Sequence, residues 1–227
     1  MIRRSTLRAQ IADALRDEVL SGRLPAGRGF TVKEIAEQYG VSATPVREAL
    51  VDLSAQGLLD VEQHRGFRVH VFTPDDYRAM VEARALVTES VFARAASPVT
   101  PPDPDDERLV SVRRRAEAAE RAALAGDLDV LIGYDLRFWR ELGDLVGNPY
   151  IAEFLDRLRV QCWVFVVPHL RGHPGLRDSL WAQYRELVDA VERGDAEAAG
   201  RIVASSNEYA AALVEKLGRT ALRCSGR

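Results

Sequence analysis

The chain has 227 residues, enough for two domains of ordinary size, and its 47% hydrophobic and 29% charged residues are the balance of a globular protein with a sizeable core. A net charge of −3 excludes a uniformly basic nucleic-acid coat, and no run approaches the ~20 apolar residues of a membrane span. The charge is uneven: residues 1–72 hold 10 Lys and Arg against 9 Asp and Glu, and residues 73–227 hold 21 against 25, so any DNA-binding surface must focus its basic groups on one N-terminal face.

Met1-Ile-Arg-Arg-Ser5 leads straight into an amphipathic pattern, so no signal peptide is expected. Cys162 and Cys224 are far apart and lack metal-ligand spacing, which reads as free thiols in a cytoplasmic protein. Leu7, Ile11, Leu15 and Val19 recur at helical spacing and predict a helix over 5–21, closed by Ser21-Gly-Arg-Leu-Pro-Ala-Gly27. Thr31 with Glu34 forms a capping box that opens a short helix to Tyr39, and Gly40 stops it. Ser42 caps a third helix of about 15 residues, with Pro45 in its first turn and Val46, Leu50 and Leu53 as its buried stripe. Two strand-like runs follow, 58–62 and 67–71, joined by Gln63-His-Arg-Gly66 with the glycine where positive φ is expected. Three helices and a hairpin are the plan of a winged helix-turn-helix.

Thr73-Pro-Asp-Asp76 breaks the pattern, and the rest reads helical near 75–97, 105–126, 128–147, 148–167, 177–193 and 195–217, with loops at the prolines of 98–104 and at 168–175. The expected organisation is mainly α: a winged helix-turn-helix over 1–72, an antiparallel all-helical bundle over 73–218, and a tail over 219–227.

A helix-turn-helix sends the start of its second helix into the major groove. Here Ser42 and Thr44 can donate to phosphate beside the helix N-terminus, and Arg47, one turn in, reaches a guanine edge or a phosphate. The wing tip, His64-Arg65-Gly66, is placed to meet the minor groove or the backbone. Each piece alone reads equally well as a solvated face or an exposed turn; the ordered set within about 60 residues is what points to DNA.

The runs Leu20-Ser-Gly-Arg-Leu-Pro-Ala-Gly27, Ile35-Ala-Glu-Gln-Tyr-Gly-Val-Ser42, Thr44-Pro-Val-Arg-Glu-Ala-Leu50, Gly57-Leu-Leu59 and Arg65-Gly66 resemble the GntR family of bacterial regulators over residues 7–72. The resemblance implies base reading by Arg47 and a further basic contact at Lys33. It also implies an arginine just before the Thr-Pro, where this chain has Ala43. Asp135-Leu-Arg-Phe138, Gly147-Asn-Pro149 and Asp189-Ala-Val-Glu-Arg-Gly-Asp-Ala-Glu-Ala-Ala199 are similar to the FadR branch, whose helical domain binds small molecules. A ligand-responsive homodimeric repressor on an inverted-repeat operator is the expectation this resemblance supports.

Without the family, several helices turn a polar residue into an otherwise apolar face. Arg84 and Thr88 fall among Tyr77, Met80, Val81, Val87 and Val91; Asp135 and Trp139 among Ile132, Leu136, Leu142 and Val146; Tyr184 and Ser206 lie on the inward faces of the last two helices. A central cavity holding a polar ligand would satisfy them, and so would a closed network in which Arg84 pairs with Asp135. By resemblance most of the branch holds a divalent metal through one Asp and three His. The matching positions are Asp135, Trp139, Tyr184 and Ser206, so the chain is expected to be metal-free, with no cofactor. Arg84 as cation, with Trp139 and Tyr184, then points to a small organic acid with an apolar portion. His169 and His173 are four apart but sit among Pro168, Gly172 and Pro174, and read as an exposed loop pair. No nucleophile array or P-loop stands out, so no catalytic residue is expected. A constitutive DNA binder whose helices only dimerise, and a helical-bundle metalloprotein or enzyme, are the competing readings.

Overall fold

The computed structural model describes residues 6–63, 65–95, 106–171, 173 and 175–224. The chain divides into two compact units, Met1–Thr73 and Pro74–Arg227.

In the first unit α1 (Leu7–Leu20), α2 (Val32–Tyr39) and α3 (Ala43–Ala55) accompany an antiparallel sheet of β1 (Gly29–Phe30), β2 (Leu59–Glu62) and β3 (Gly66–Val69), in the order β1-β3-β2. The capping box forms as expected: Thr31 Oγ1 accepts from Glu34 N at 3.2 Å, and the Glu34 carboxylate accepts from Thr31 N at 2.6 Å. Ile11, Leu15 and Val19 of α1 and Val46, Leu50 and Leu53 of α3 are all buried, and removing such side chains from water contributes about 1.5–3 kcal/mol each. The third strand, β1, is missing from the sequence reading because two residues carry no period.

Gly66 opens β3 with φ +106°, and a Cβ there would lie 2.4 Å from the Phe30 carbonyl oxygen. The position therefore demands glycine on two counts, conformation and close approach. Gly66→Ala is expected to destabilise the winged unit by more than about 1 kcal/mol, visible as earlier thermal unfolding of that unit and weaker operator binding. A variant with unchanged unfolding would show that the wing relaxes freely.

The second unit is all-helical: α4 (Pro74–Ala95), α5 (Glu107–Ala125), α6 (Leu128–Asp144), α7 (Pro149–Leu170), α8 (Tyr184–Glu192) and α9 (Ala196–Cys224), with a 3-10 turn at Leu176–Ser179. Gly126 in the left-handed region ends α5, and Asp127 caps α6 by accepting from Val130 N at 3.2 Å. Two residues thus reverse the chain and lay α6 against α5. Asn148 caps α7 through the N–H groups of Tyr150 and Ile151, with Pro149 at the first helical position, where its missing N–H costs nothing.

Five expectations are corrected. α7 continues to Leu170 with Pro168 inside it, so His169 is helical, its Nδ1 2.9 Å from the Phe165 carbonyl oxygen. His173 is half-buried outside any helix. The predicted helix over 177–193 is a 3-10 turn and α8, separated by extended backbone at Leu180. α9 runs to Cys224, so residues 219–224, read as tail, are helical; its alanines, leucines and arginines are strong helix formers. Val146, expected inward, is 41% exposed, and α6 instead buries Leu131 and Phe138. The proline loop at 98–104 lies outside the described residues.

Candidate functional site

The winged unit presents one basic, exposed edge. Ser42 precedes α3 in extended conformation, and its side chain makes no capping bond. Ser42, Ala43, Thr44 and Arg47 are exposed on the outer face of α3, while Val46, Ala49 and Leu50 of the same turns are buried. Arg47 has no ion pair among the described residues, whereas Arg8 is held by Asp52 and Arg68 by Glu62 at 2.6 Å. Lys33 at the start of α2 keeps its side chain 84% exposed, with Glu37 3.7 Å away. Ala43 leaves a hollow between α2 and α3, floored by Val32, Ala36 and Val41 and edged by Lys33 and Arg47. Arg65 is exposed at the turn before β3, and Gly66 fixes the turn's geometry; His64 lies outside the described residues.

In the helical unit a cavity of about 60 Å³ lies between α4, α6, α7, α8 and α9. Arg84, Asp135, Tyr184 and Ser206 line it together, as do Arg159, Trp163 and Tyr209. Arg84 and Ser206 are each 4% exposed and Asp135 is 2% exposed. Thr88 and Trp139 do not line it but stand behind its walls. Thr88 accepts from Asn207 Nδ2 at 3.1 Å, and Asn207 Oδ1 accepts from Arg84 Nε at 2.8 Å. Arg84 therefore pairs with Asn207, not with Asp135, and its Nη2 is buried without a hydrogen-bond partner.

Asp135 is saturated by other donors. Its Oδ1 accepts from Trp139 Nε1 at 3.0 Å and Tyr184 Oη at 2.8 Å, and its Oδ2 accepts from Trp163 Nε1 at 2.6 Å. Arg159 Nη1 stands 3.6 Å from Oδ1, beyond hydrogen-bond reach, and its guanidinium stacks 4.0 Å over the Trp139 ring. Burial pushes the Arg159 guanidinium down to about 10; Asp135 opposes the shift and the nearby Arg84 adds to it. Burial, reinforced by Asp135, pushes the Tyr184 hydroxyl well up, so it stays a donor at neutral pH. Burial likewise raises the Cys162 thiol, which makes it a poor nucleophile and ligand.

These residues do not fit the divalent metal that the resemblance implies. Both carboxylate oxygens of Asp135 already take N–H or O–H donors, indole nitrogens cannot ligate, and Ser206 is a weak ligand. Among the described residues no group of three His, Cys, Asp or Glu could hold a metal ion.

A wider groove of about 1030 Å³ surrounds the C-terminal end of α6, floored by Val87, Val91, Leu142, Leu145, Ile151 and Val191. No buried cation lines it among the described residues, which separates it from the polar cavity. Sequence reasoning missed Arg159, Trp163 and Asn207. Arg159, Cys162, Trp163, Val166 and Leu170 share one face of α7 at spacings of three and four, and that periodicity was the available signal.

Among the described residues, no helix is long and apolar enough to cross a membrane. Residues 7–69 match the bacterial regulatory proteins of the gntR family, and residues 79–208 match the FCD domain. The chain is 31% identical over 196 residues to a probable D-xylose utilization operon transcriptional repressor of Paenarthrobacter nicotinovorans, covering 86% of this chain and 83% of that protein. It is equally identical, at 31% over 196 residues, to the transcriptional repressor RspR of Escherichia coli K12, covering 85% and 82%. The solved structure of E. coli McbR/YncC shares the fold, with a TM-score of 0.73 at 24% identity over 94% of this chain and 99% of that one. The chain belongs to the GntR family of bacterial transcriptional regulators, with an FCD domain behind its winged helix-turn-helix.

Proposed function

We propose that this ligand-responsive, DNA-binding regulator acts in the cytoplasm as a homodimeric repressor, that it reads an inverted-repeat operator, and that a small organic acid with an apolar portion controls it. The observation that carries the effector half is the buried Arg84 Nη2 without a partner in the central cavity. Such a group costs about 1–3 kcal/mol unless a ligand or water satisfies it. On the DNA side, Ser42, Thr44 and Arg47 stand at the start of the recognition helix, with Lys33 beside them and Arg65 on the wing. Two-fold symmetry of a dimer matches a palindromic site, which is the usual reason such operators are inverted repeats. No catalytic step is assigned to the chain, and its cavity is assigned no metal.

Arg47→Ala is expected to weaken operator binding by about 1–3 kcal/mol, or about 5- to 150-fold, in a gel-shift titration at fixed salt. An unchanged affinity would remove Arg47 from the reading surface. A footprint over one asymmetric half-site would overturn the dimeric reading. An operator affinity indifferent to every acid that binds the protein would leave a constitutive DNA binder.

A further inference from the structure

The cavity carries a charge imbalance. Two guanidinium groups, Arg84 and Arg159, face it, and Asp135 is the one carboxylate among its lining residues. That carboxylate spends its oxygens on Trp139, Trp163 and Tyr184. What remains is one net positive charge among the lining residues. Arg84 is held in place by the Asn207 amide, which is braced in turn by Thr88, so Nη2 is fixed and still lacks an acceptor. Arg159 is held from the other side by the Trp139 ring, with Asp135 at ion-pair distance only.

We propose that Arg159 is a second anchoring cation of the effector site, and that the effector is a small monocarboxylate whose head seats between Arg159 and the free Nη2 of Arg84. This rests on the effector reading above and names its ligand class. Guanidinium and carboxylate match in plane and spacing, so an anion held by two of them is oriented as well as attracted. One net positive charge favours a monoanion over a dianion. The volume favours it too: about 60 Å³ holds about four water-sized groups, the size of a carboxylate with one or two carbons attached. Leu131, Val166, Leu170 and Leu213 complete the walls and suit a short apolar body.

The test is titration calorimetry on the full-length protein with sodium acetate, pyruvate, butyrate and inorganic phosphate, each with and without EDTA. At least one carboxylate is expected to bind, with an affinity that EDTA leaves unchanged. Arg159→Met is expected to lose that binding at least tenfold. Arg159→Lys keeps the charge but not the fork, and should fall between the two. Circular dichroism melts establish that each variant is folded; if the Met variant unfolds, the Lys variant alone carries the comparison. Binding equal to the parent in every folded Arg159 variant would overturn the proposal, as would no binding by any carboxylate at millimolar concentration, a preference for phosphate, or abolition by EDTA. If a carboxylate binds through Arg159 yet operator affinity never responds to it, the site assignment stands and the regulatory reading fails. If a ligand releases or tightens DNA without needing Arg159, the reverse holds.

Discussion

Asp135→Ala is expected to destabilise the helical unit by about 3–5 kcal/mol, seen as a lower urea midpoint for that unit. The carboxylate is 2% exposed, and its removal strands three donors at once: the indole N–H groups of Trp139 and Trp163 and the hydroxyl of Tyr184. It also strips Arg159 of its ion-pair partner among the described residues. Each loss is a desolvation cost with no compensation, and the four converge on one side chain. Asp135→Asn keeps the shape. Its carbonyl oxygen can still serve Trp139 and Tyr184, but its amide then faces the Trp163 N–H donor to donor. Trp163→Phe in that background should therefore cost less than Trp163→Phe alone. That double-mutant cycle isolates the Asp135–Trp163 bond. A midpoint for Asp135→Ala within experimental error of the parent would mean that water satisfies these donors and that the network is not structural.

Phe138→Ala is expected to cost a similar amount, about 3–5 kcal/mol, by a different route. Phe138 has no exposed surface and packs edge-on against Trp139 and Tyr184, with ring centroids 5.2 Å away in both pairs. Truncation opens a void between two rings that themselves orient on Asp135. Carboxylate affinity should fall together with stability, because Trp139 and Tyr184 lose the packing that fixes them. Phe138→Leu retains most of the volume and should recover more than half of both losses. If the alanine variant lost stability but bound carboxylates as the parent does, the ring cluster would not be what positions the donors.

The winged unit was legible because each of its signals is local. The capping box at Thr31 and Glu34, the stop at Gly40 and the stripe Val46, Leu50, Leu53 each fix a boundary or a face within a few residues. The helical unit was legible in its elements and less so in its pairings. Arg84, Asp135, Tyr184 and Ser206 do meet in one cavity, since helical spacing alone marks them as inward. Which of them bond to one another depends on helix register, which no local signal encodes. Arg84 thus finds Asn207 where Asp135 was an open alternative, and Asp135 finds two indoles. Arg159 was hidden for another reason. The first half of α7 also carries Glu153, Asp156 and Arg157, so one more charge at position 159 does not stand out as an inward one. The overrun of α7 past Pro168 has a plain cause as well, because a proline in the last turn of a helix removes only one internal bond.

The three tryptophans of the chain, Trp139, Trp163 and Trp181, all belong to the helical unit, and the winged unit has none. Two of them donate to Asp135, and the ring of the third lies 5.9 Å from that of Trp139. The intrinsic emission of the whole protein, excited at the red edge of tryptophan absorption, is therefore emission from two residues in the wall of one cavity and a third directly behind it, and the DNA-binding half is dark. Arg159 places its charge directly over one of these indoles, so any anion that draws that charge away changes the field the chromophore senses. Occupancy of the cavity can then be followed optically in the unmodified protein while operator DNA is bound, with no dye attached and no residue replaced.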